Sequence, residues 1–465
     1  MIVITFEGVI FVTDLTTGRP IKVIFLYTIP LLLGNFFQQF YNFIDTLIVG
    51  KTISVNALAS VGATGGLTSL VIGFAMGMTS GLTILTARRY GAGDEKGVTK
   101  SFASGILISL FITVIFTAIA MLVAYPLLVI MQTPKVLLHN AFVFLEIIFA
   151  GIFAFVGFDF LGNTMRALGN SRVPLFFLMV STVLNILLEL VFILYLHMGV
   201  AGAGLATVLA QTITMIILWF YIRKKIPYLV IGFSDFKIDK AELKELLRMS
   251  LPMGFQSSII AIGSIILQFM LNTLGAQAVA AYTVAGRVEQ IATLPAMSFG
   301  IALVNYTAQN LGAKHYSRIL EGVKKGLIMS VASSVIIGAL LVLFGRNISH
   351  LFMNGPETHV LNLIQIYYWF NGTMYFMLSI LFIVRYTLQG LGNQKAPTIA
   401  GVAELLMRIF ASVVMIRFFG FYGAAMASPL AWIGSVLVLV STWKIELNRL
   451  RKLQDESEQI ENVTD

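Results

Sequence analysis

Asp45 is the first charged residue for more than 20 positions, in the stretch KVIFLYTIPLLLGNFFQQFYNFIDTLIVG that runs from Lys22 to Gly50. A helix of about 20 apolar residues crosses a bilayer, so this stretch is long enough to span one. An ionisable group inside such a span costs about 2.5–3.5 kcal/mol or more, and by default it marks a functional site. At helical spacing Gln38, Tyr41 and Asp45 share one face. Pro30 removes a backbone hydrogen bond and allows the helix to bend. A second acid, Glu189, lies near the middle of PLFFLMVSTVLNILLELVFILYL, on the same face as Ser181 and Asn185. Two carboxylates at bilayer depth, with amide and hydroxyl oxygens nearby, suit a proton or a small hard cation such as Na⁺. Structural alternatives stay open for both. Asp45 is near enough to Gly50 to cap its helix or reach the headgroups, and Glu189 could be hydrogen-bonded to a neighbouring helix.

Other polar groups fall at helical spacing. Thr207 and Gln211 are one turn apart, and Asp159, Asn163 and Arg166 lie on one side of their segment. Later in the chain, Arg287 with Glu289 and Glu404 with Arg408 are placed for internal ion pairs. Gln256, Ser257, Gln268, Tyr367, Tyr368, Asn371 and Tyr375 are candidates for the wall of a cavity. With 20 methionines and 36 phenylalanines, the interior is soft and aromatic, a surface that holds apolar cations loosely. Patterns of soluble catalysis are missing. No P-loop lysine motif and no HExxH occur, and with no cysteine there is no thiol nucleophile or disulfide framework. The chain therefore reads as something other than an enzyme, with no cofactor beyond a coupling ion.

The elements that must position these groups are membrane helices. The chain is 58% hydrophobic and 11% charged, where soluble domains carry about 25% charged residues. The fold class is an all-α polytopic membrane protein. Twelve hydrophobic segments run at about 22–50, 56–87, 101–131, 138–163, 174–197, 200–222, 247–273, 277–306, 320–344, 360–384, 397–418 and 421–443. Residues 1–21 form an N-terminal segment whose apolar run is broken by Glu7, too short to span and unlike a signal peptide. A native start near Val12 is a hypothesis that N-terminal sequencing tests. Residues 223–246 form a cytoplasmic linker and 444–465 a cytoplasmic tail, whose last residues, LQDESEQIENVTD, read as solvated and disordered.

Of the 31 lysines and arginines, 25 fall on the side of both termini, Arg166 and Arg385 among them, and four (Lys51, Lys135, Arg346 and Arg417) on the other. Only Arg287 and Arg408 are left within spans. The positive-inside rule puts the rich side in the cytoplasm of a multi-pass cell-membrane protein. The net charge of +9 is thus a topology signal and not a nucleic-acid patch.

The chain also repeats itself at an offset of about 221–223 residues. Pro30 matches Pro252, Leu168-Gly169-Asn170 matches Leu391-Gly392-Asn393, and Gly199 matches Gly420. Two six-helix pseudo-symmetric lobes follow, 22–222 and 247–443, inserted the same way round with a cavity between them. The paired acidic site belongs to the first lobe alone. Ile266 and Leu267 stand opposite Asp45, and Arg408 and Ser412 stand opposite Asn185 and Glu189.

DLTTG, IPLLLGNFFQQFYNFIDTLIVG, ALASVGAT, RALGNSRVP, LNILLELVFI and GVAGAGLAT together resemble the multidrug and toxic compound extrusion (MATE) family, in particular its bacterial DinF-like and MepA-like branch. The resemblance implies a monomeric secondary antiporter that exports organic cations or amphipathic drugs in exchange for inward H⁺ or Na⁺. It implies a coupling-ion site at Asp45, Asn185, Glu189 and Thr207, with Asn163 as a further contributor. The substrate cavity is expected to include Gln38, Tyr41, Gln256, Arg287 and Glu289. The sequence departs from the family pattern at two points. Glu189 replaces the usual Asp, and Gln256 stands near where some members carry an acid in the seventh helix. The alternative within the superfamily is a lipid-linked oligosaccharide flippase, which needs a strongly cationic cavity.

Overall fold

The computed structural model describes residues 14–232, 235–236, 239–350 and 358–464, so the start near Val12 lies outside the described residues. Every regular element among these residues is helical. The first half comprises α1 (Pro20–Thr52), α2 (Val55–Gly91), α3 (Glu95–Ile130), α4 (Lys135–Ala150), α5 (Ile152–Ala167), α6 (Arg172–Leu190) and α7 (Gly199–Lys225). The second comprises α8 (Lys240–Asn272), α9 (Ala276–Ala292), α10 (Leu294–Gly312), α11 (Tyr316–His350), α12 (Thr358–Gly372), α13 (Tyr375–Gly390), α14 (Lys395–Phe410), the short α15 (Ile416–Phe419) and α16 (Phe421–Thr464).

Nine helices among the described residues are long and apolar enough to cross a membrane alone. Three further spans are bent pairs: α4 with α5 at 46°, α9 with α10 at 41°, and α12 with α13 at 46°. That makes twelve spans, six in each half. Each bend has a local cause. Gly151 caps α4, Pro295 sits in the first turn of α10, and α12 ends at Gly372.

The sequence repeat returns as a backbone repeat. Five-residue π-helical turns follow α6 at Val191–Tyr195 and α14 at Ala411–Met415. Gly169 and Gly392 both take a left-handed conformation, with φ of 84° and 82°, as do Gly199 and Gly420, with φ of 57° and 56°. Glycine meets no steric cost there.

Two boundaries differ from the hydropathy reading. Helix α8 begins at Lys240 because the Asp239 carboxylate accepts the amides of Ala241 and Glu242, a cap that extends the helix before the membrane. Helix α16 continues through the expected disordered tail to Thr464, since nothing after Pro429 breaks it and its residues are largely good helix formers.

The halves meet backbone to backbone on the side of the termini. A Cβ added at Gly91, the end of α2, would lie 2.0 Å from the Gln309 carbonyl oxygen; one at Gly312, the end of α10, would lie 1.8 Å from that of Arg88. Only glycine permits this approach. The Arg89 guanidinium adds a bidentate pair with Glu242 across the halves, at 2.6 and 2.7 Å. A strap from Leu15 to Gly18 covers the same side. Gln309 Oε1 accepts from the Leu15 amide at 3.3 Å while its Nε2 donates to the Ala167 carbonyl at 2.7 Å. Arg318 donates to the carbonyls of Gly18, Thr17 and Leu15.

Candidate functional site

Between the halves lies a cavity of about 470 Å³. On the first half Asn35, Gln38, Ser80, Asp159 and Arg166 face it; on the second, Gln256, Ser257, Asn305, Arg385 and Gln389 do. The lining positions of α2 end at Ile84 and those of α10 at Asn305, so the glycine contact at Gly91 and Gly312 closes the space on the terminal side.

Helix α1 connects this cavity to a second group of polar atoms. Its Asn35 Nδ2 donates to Ser298 Oγ of α10 at 3.0 Å, reaching across to the other half. Two turns beyond, Tyr41 turns away from the cavity toward α7. Thr207 gives its hydroxyl proton to the Ala203 carbonyl at 3.1 Å. It therefore accepts from the Tyr41 hydroxyl at 3.3 Å and from Asn185 Nδ2 at 3.2 Å. One turn after Asn185, Glu189 is fully buried. The Asp45 carboxylate lies within electrostatic range of both Glu189 and Tyr41. Asp45 itself is half-buried. Four buried oxygens on α6 and α7 find no donor among the described residues: both carboxylate oxygens of Glu189, Asn185 Oδ1 and Gln211 Oε1. Buried acceptors are nearly always satisfied, so four of them on two adjacent helices stand out, although Asn371, Gln389 and Gln394 in the second half also carry a buried oxygen without a donor.

Asn163 has other partners. Its amide donates to Asp159 Oδ2 at 3.0 Å, Ser80 Oγ at 3.2 Å and Thr79 Oγ1 at 3.4 Å, and its oxygen accepts from Arg166 at 2.6 Å. Thr79 also donates to Asp159. Asp159 thus forms a separate carboxylate centre on the cavity wall. The spacing of residues 159, 163 and 166 brings these three together, but hydropathy did not single out Asp159 as a site.

In the second half the expected cavity set divides. Gln256 lines the cavity, whereas Arg287 and Glu289 do not. They form no ion pair with each other, because residues two apart on a helix point to different sides. Arg287 is exposed, and Glu289 accepts from the Tyr367 hydroxyl within the tyrosine-rich core of that half. Tyr367, Tyr368, Asn371 and Tyr375 are buried in that core and not on the cavity wall, and Gln268 is exposed and bonded to Asn272.

Arg385, assigned by hydropathy to a loop, is instead buried within α13. It donates to Glu404 at 2.8 Å and to Ser435 at 2.9 Å, while Glu404 also pairs with Arg408 at 3.4 Å. With its amide oxygen turned toward Arg385, Gln256 accepts at 2.9 and 3.1 Å. A cation near the end of an apolar run looks like a loop residue by hydropathy alone. Its burial depends on a partner 19 residues later.

The MatE family model matches residues 30–191 and again 252–414. Probable multidrug resistance protein YpnP of Bacillus subtilis (strain 168) is 28% identical over 74% of this chain and 77% of its own length. Multidrug export protein MepA of Staphylococcus haemolyticus (strain JCSC1435) is 22% identical over 86% of this chain and 88% of its own. Among solved structures, an outward-facing multidrug resistance MATE family transporter of the MOP superfamily superposes with a TM-score of 0.87 at 21% identity, over 96% of this chain and all of that one. A MATE in complex with MaL6 gives 0.86 at 22% identity, over 96% of this chain and 100% of that chain. At these identities the structures speak for the fold. Matched once in each half by the same family model, the chain belongs to the MATE family of multidrug efflux transporters.

Proposed function

We propose that the protein is a secondary antiporter that exports cationic or amphipathic compounds in exchange for inward H⁺ or Na⁺. The observation that carries this reading is the set of unpaired oxygens on Glu189, Asn185 and Gln211 within electrostatic range of Asp45, on a helix whose Asn35 and Gln38 line the cavity. Asp45 and Glu189 hold the coupling ion. Asn185 offers its amide oxygen, and Thr207 fixes the Asn185 and Tyr41 side chains around it. Two charged carboxylates at this depth repel each other, and a bound ion relieves the repulsion. Relief changes the position of α1, which bends at Pro30 and alters the cavity wall at Asn35 and Gln38. The ion must favour one conformation over the other to drive anything.

By the positive-inside rule, both termini lie in the cytoplasm of a cell-membrane protein, which we read as a monomer. The glycine contact then closes the cytoplasmic end, and the cavity reaches the two sides of the membrane in turn. Proteoliposomes loaded with a fluorescent organic cation, with ΔpH and a Na⁺ gradient imposed separately, test the reading. Wild type should export under one gradient and not without it. Asp45→Asn and Glu189→Gln should each lower gradient-driven export at least about tenfold, a loss of about 1.4 kcal/mol in driving interaction. Undiminished, gradient-driven export by Asp45→Asn would end the proposal.

A further inference from the structure

A second large hollow, about 880 Å³, opens on the outer surface between α8, α14 and α16. The residues that line it sort by chemistry along its length. At one end stand Arg248, Lys395 and Arg449, with Glu446 beside the last. Arg248 and Lys395 are exposed and form no ion pair with any described residue. Arg449 approaches Glu446 at 3.4 Å but remains 70% exposed, while Glu446 also accepts from Asn393. Three cations against one anion leave this end with a surplus of two positive charges.

From the basic end two apolar strips run the same way. On α8, Leu251, Phe255 and Ile259 follow Arg248 at helical spacing; on α14, Ile399 follows Lys395, with Val402 and Leu406 beyond it. Phe255 and Ile399 are 55% and 57% exposed, so the strips are uncovered. From residue 395 to residue 406 the helix rises about 16 Å. One leaflet's hydrocarbon layer is about 15 Å deep. The strips therefore match an acyl chain in one leaflet, and the cationic end falls where that leaflet's phosphates lie.

We propose that this groove binds one anionic glycerophospholipid of the leaflet on the side of the termini. Its phosphate sits among Arg248, Lys395 and Arg449, and an acyl chain lies along Leu251, Phe255 and Ile399. The charge surplus selects an anionic headgroup over a zwitterionic one, since basic side chains at a membrane surface attract anionic lipid. Glu446 narrows the cationic end to a single headgroup by holding Arg449 and Asn393 in place.

The test is native mass spectrometry of the full chain in mild detergent, with equimolar phosphatidylglycerol and phosphatidylcholine of identical acyl chains. Wild type should retain phosphatidylglycerol over phosphatidylcholine at least about fivefold. Arg248→Ser/Lys395→Ser/Arg449→Ser should lose that preference, and Lys244→Ser/Lys444→Ser, on the same side but outside the groove, should keep it. If the triple variant fails to fold, the single reversals Lys395→Glu and Arg248→Glu, at exposed positions, carry the same comparison. Ile399→Trp, which fills the groove and leaves the charges, should lower retention of both lipids. Equal retention by wild type, or an undiminished preference in the charge variants, overturns the proposal.

Discussion

At the scale of single residues, the two buried ionic centres differ in what they lack. Glu189 has no donor to either oxygen, while Glu404 has more positive charge around it than it can neutralise. On the proposed reading the first takes up an ion; the second already pairs with two arginines. Glu404→Gln should therefore behave as a folding mutation. It strands Arg385 and Arg408 without their counter-ion, and breaking a buried pair in this way costs about 3–5 kcal/mol. A thermal melt in detergent should show a clear drop in Tm, where Glu189→Gln should melt close to wild type. The alignment of Asn185 with Glu189 was legible because spacing along one helix defines a face, whereas the grouping of both with Asp45 was implied only by the family resemblance. Arg385 was not legible, since its counter-charge comes from another helix. The position of Asn163 was half legible. Its stacking on Asp159 follows from a four-residue step, but its separation from Asp45 depends on where α2 places Thr79 and Ser80.

At the scale of elements, all twelve spans could be located by hydropathy, and three of them are nevertheless bent. An apolar run of unvarying character contains no period from which a bend could be read. The causes, Gly151, Pro295 and Gly372, are single residues among many similar ones. The bend at Gly151 presses on α7, where an added Cβ would lie 2.2 and 2.7 Å from the Val208 methyls. Gly151→Ala should cost about 1–3 kcal/mol by overpacking. Gly151→Ala/Val208→Ala should recover most of it, which thermal melts of the four proteins in that cycle would show. The π-helical turn beginning two residues after Glu189 is the other irregularity near the ion site. Such turns often occur at functional sites.

At the scale of the whole molecule, what must part for the cavity to open toward the termini is the contact at Gly91 and Gly312. No side chain can retreat from an obstacle that is itself backbone. Gly312→Ala should push the halves apart on that side and shift the population toward a cavity open there. The chain contains no cysteine, so one introduced at Ser257 on the cavity wall reports access without background. A shift of about 1.4 kcal/mol would speed its labelling by an impermeant maleimide from the terminal side roughly tenfold. Unchanged labelling would mean that the halves do not separate there. The repeat was legible in the sequence, and the family model matches it twice, but this contact was not, because it joins the repeats to each other.

Gly91 and Gly312 occupy equivalent positions, and each abuts the residue that corresponds to the other's neighbour, Gln309 and Arg88. Such an arrangement is isologous, like the interface of a twofold dimer. Each glycine meets a backbone oxygen of the same kind, so Gly91→Ala should disturb the contact in the same way as Gly312→Ala.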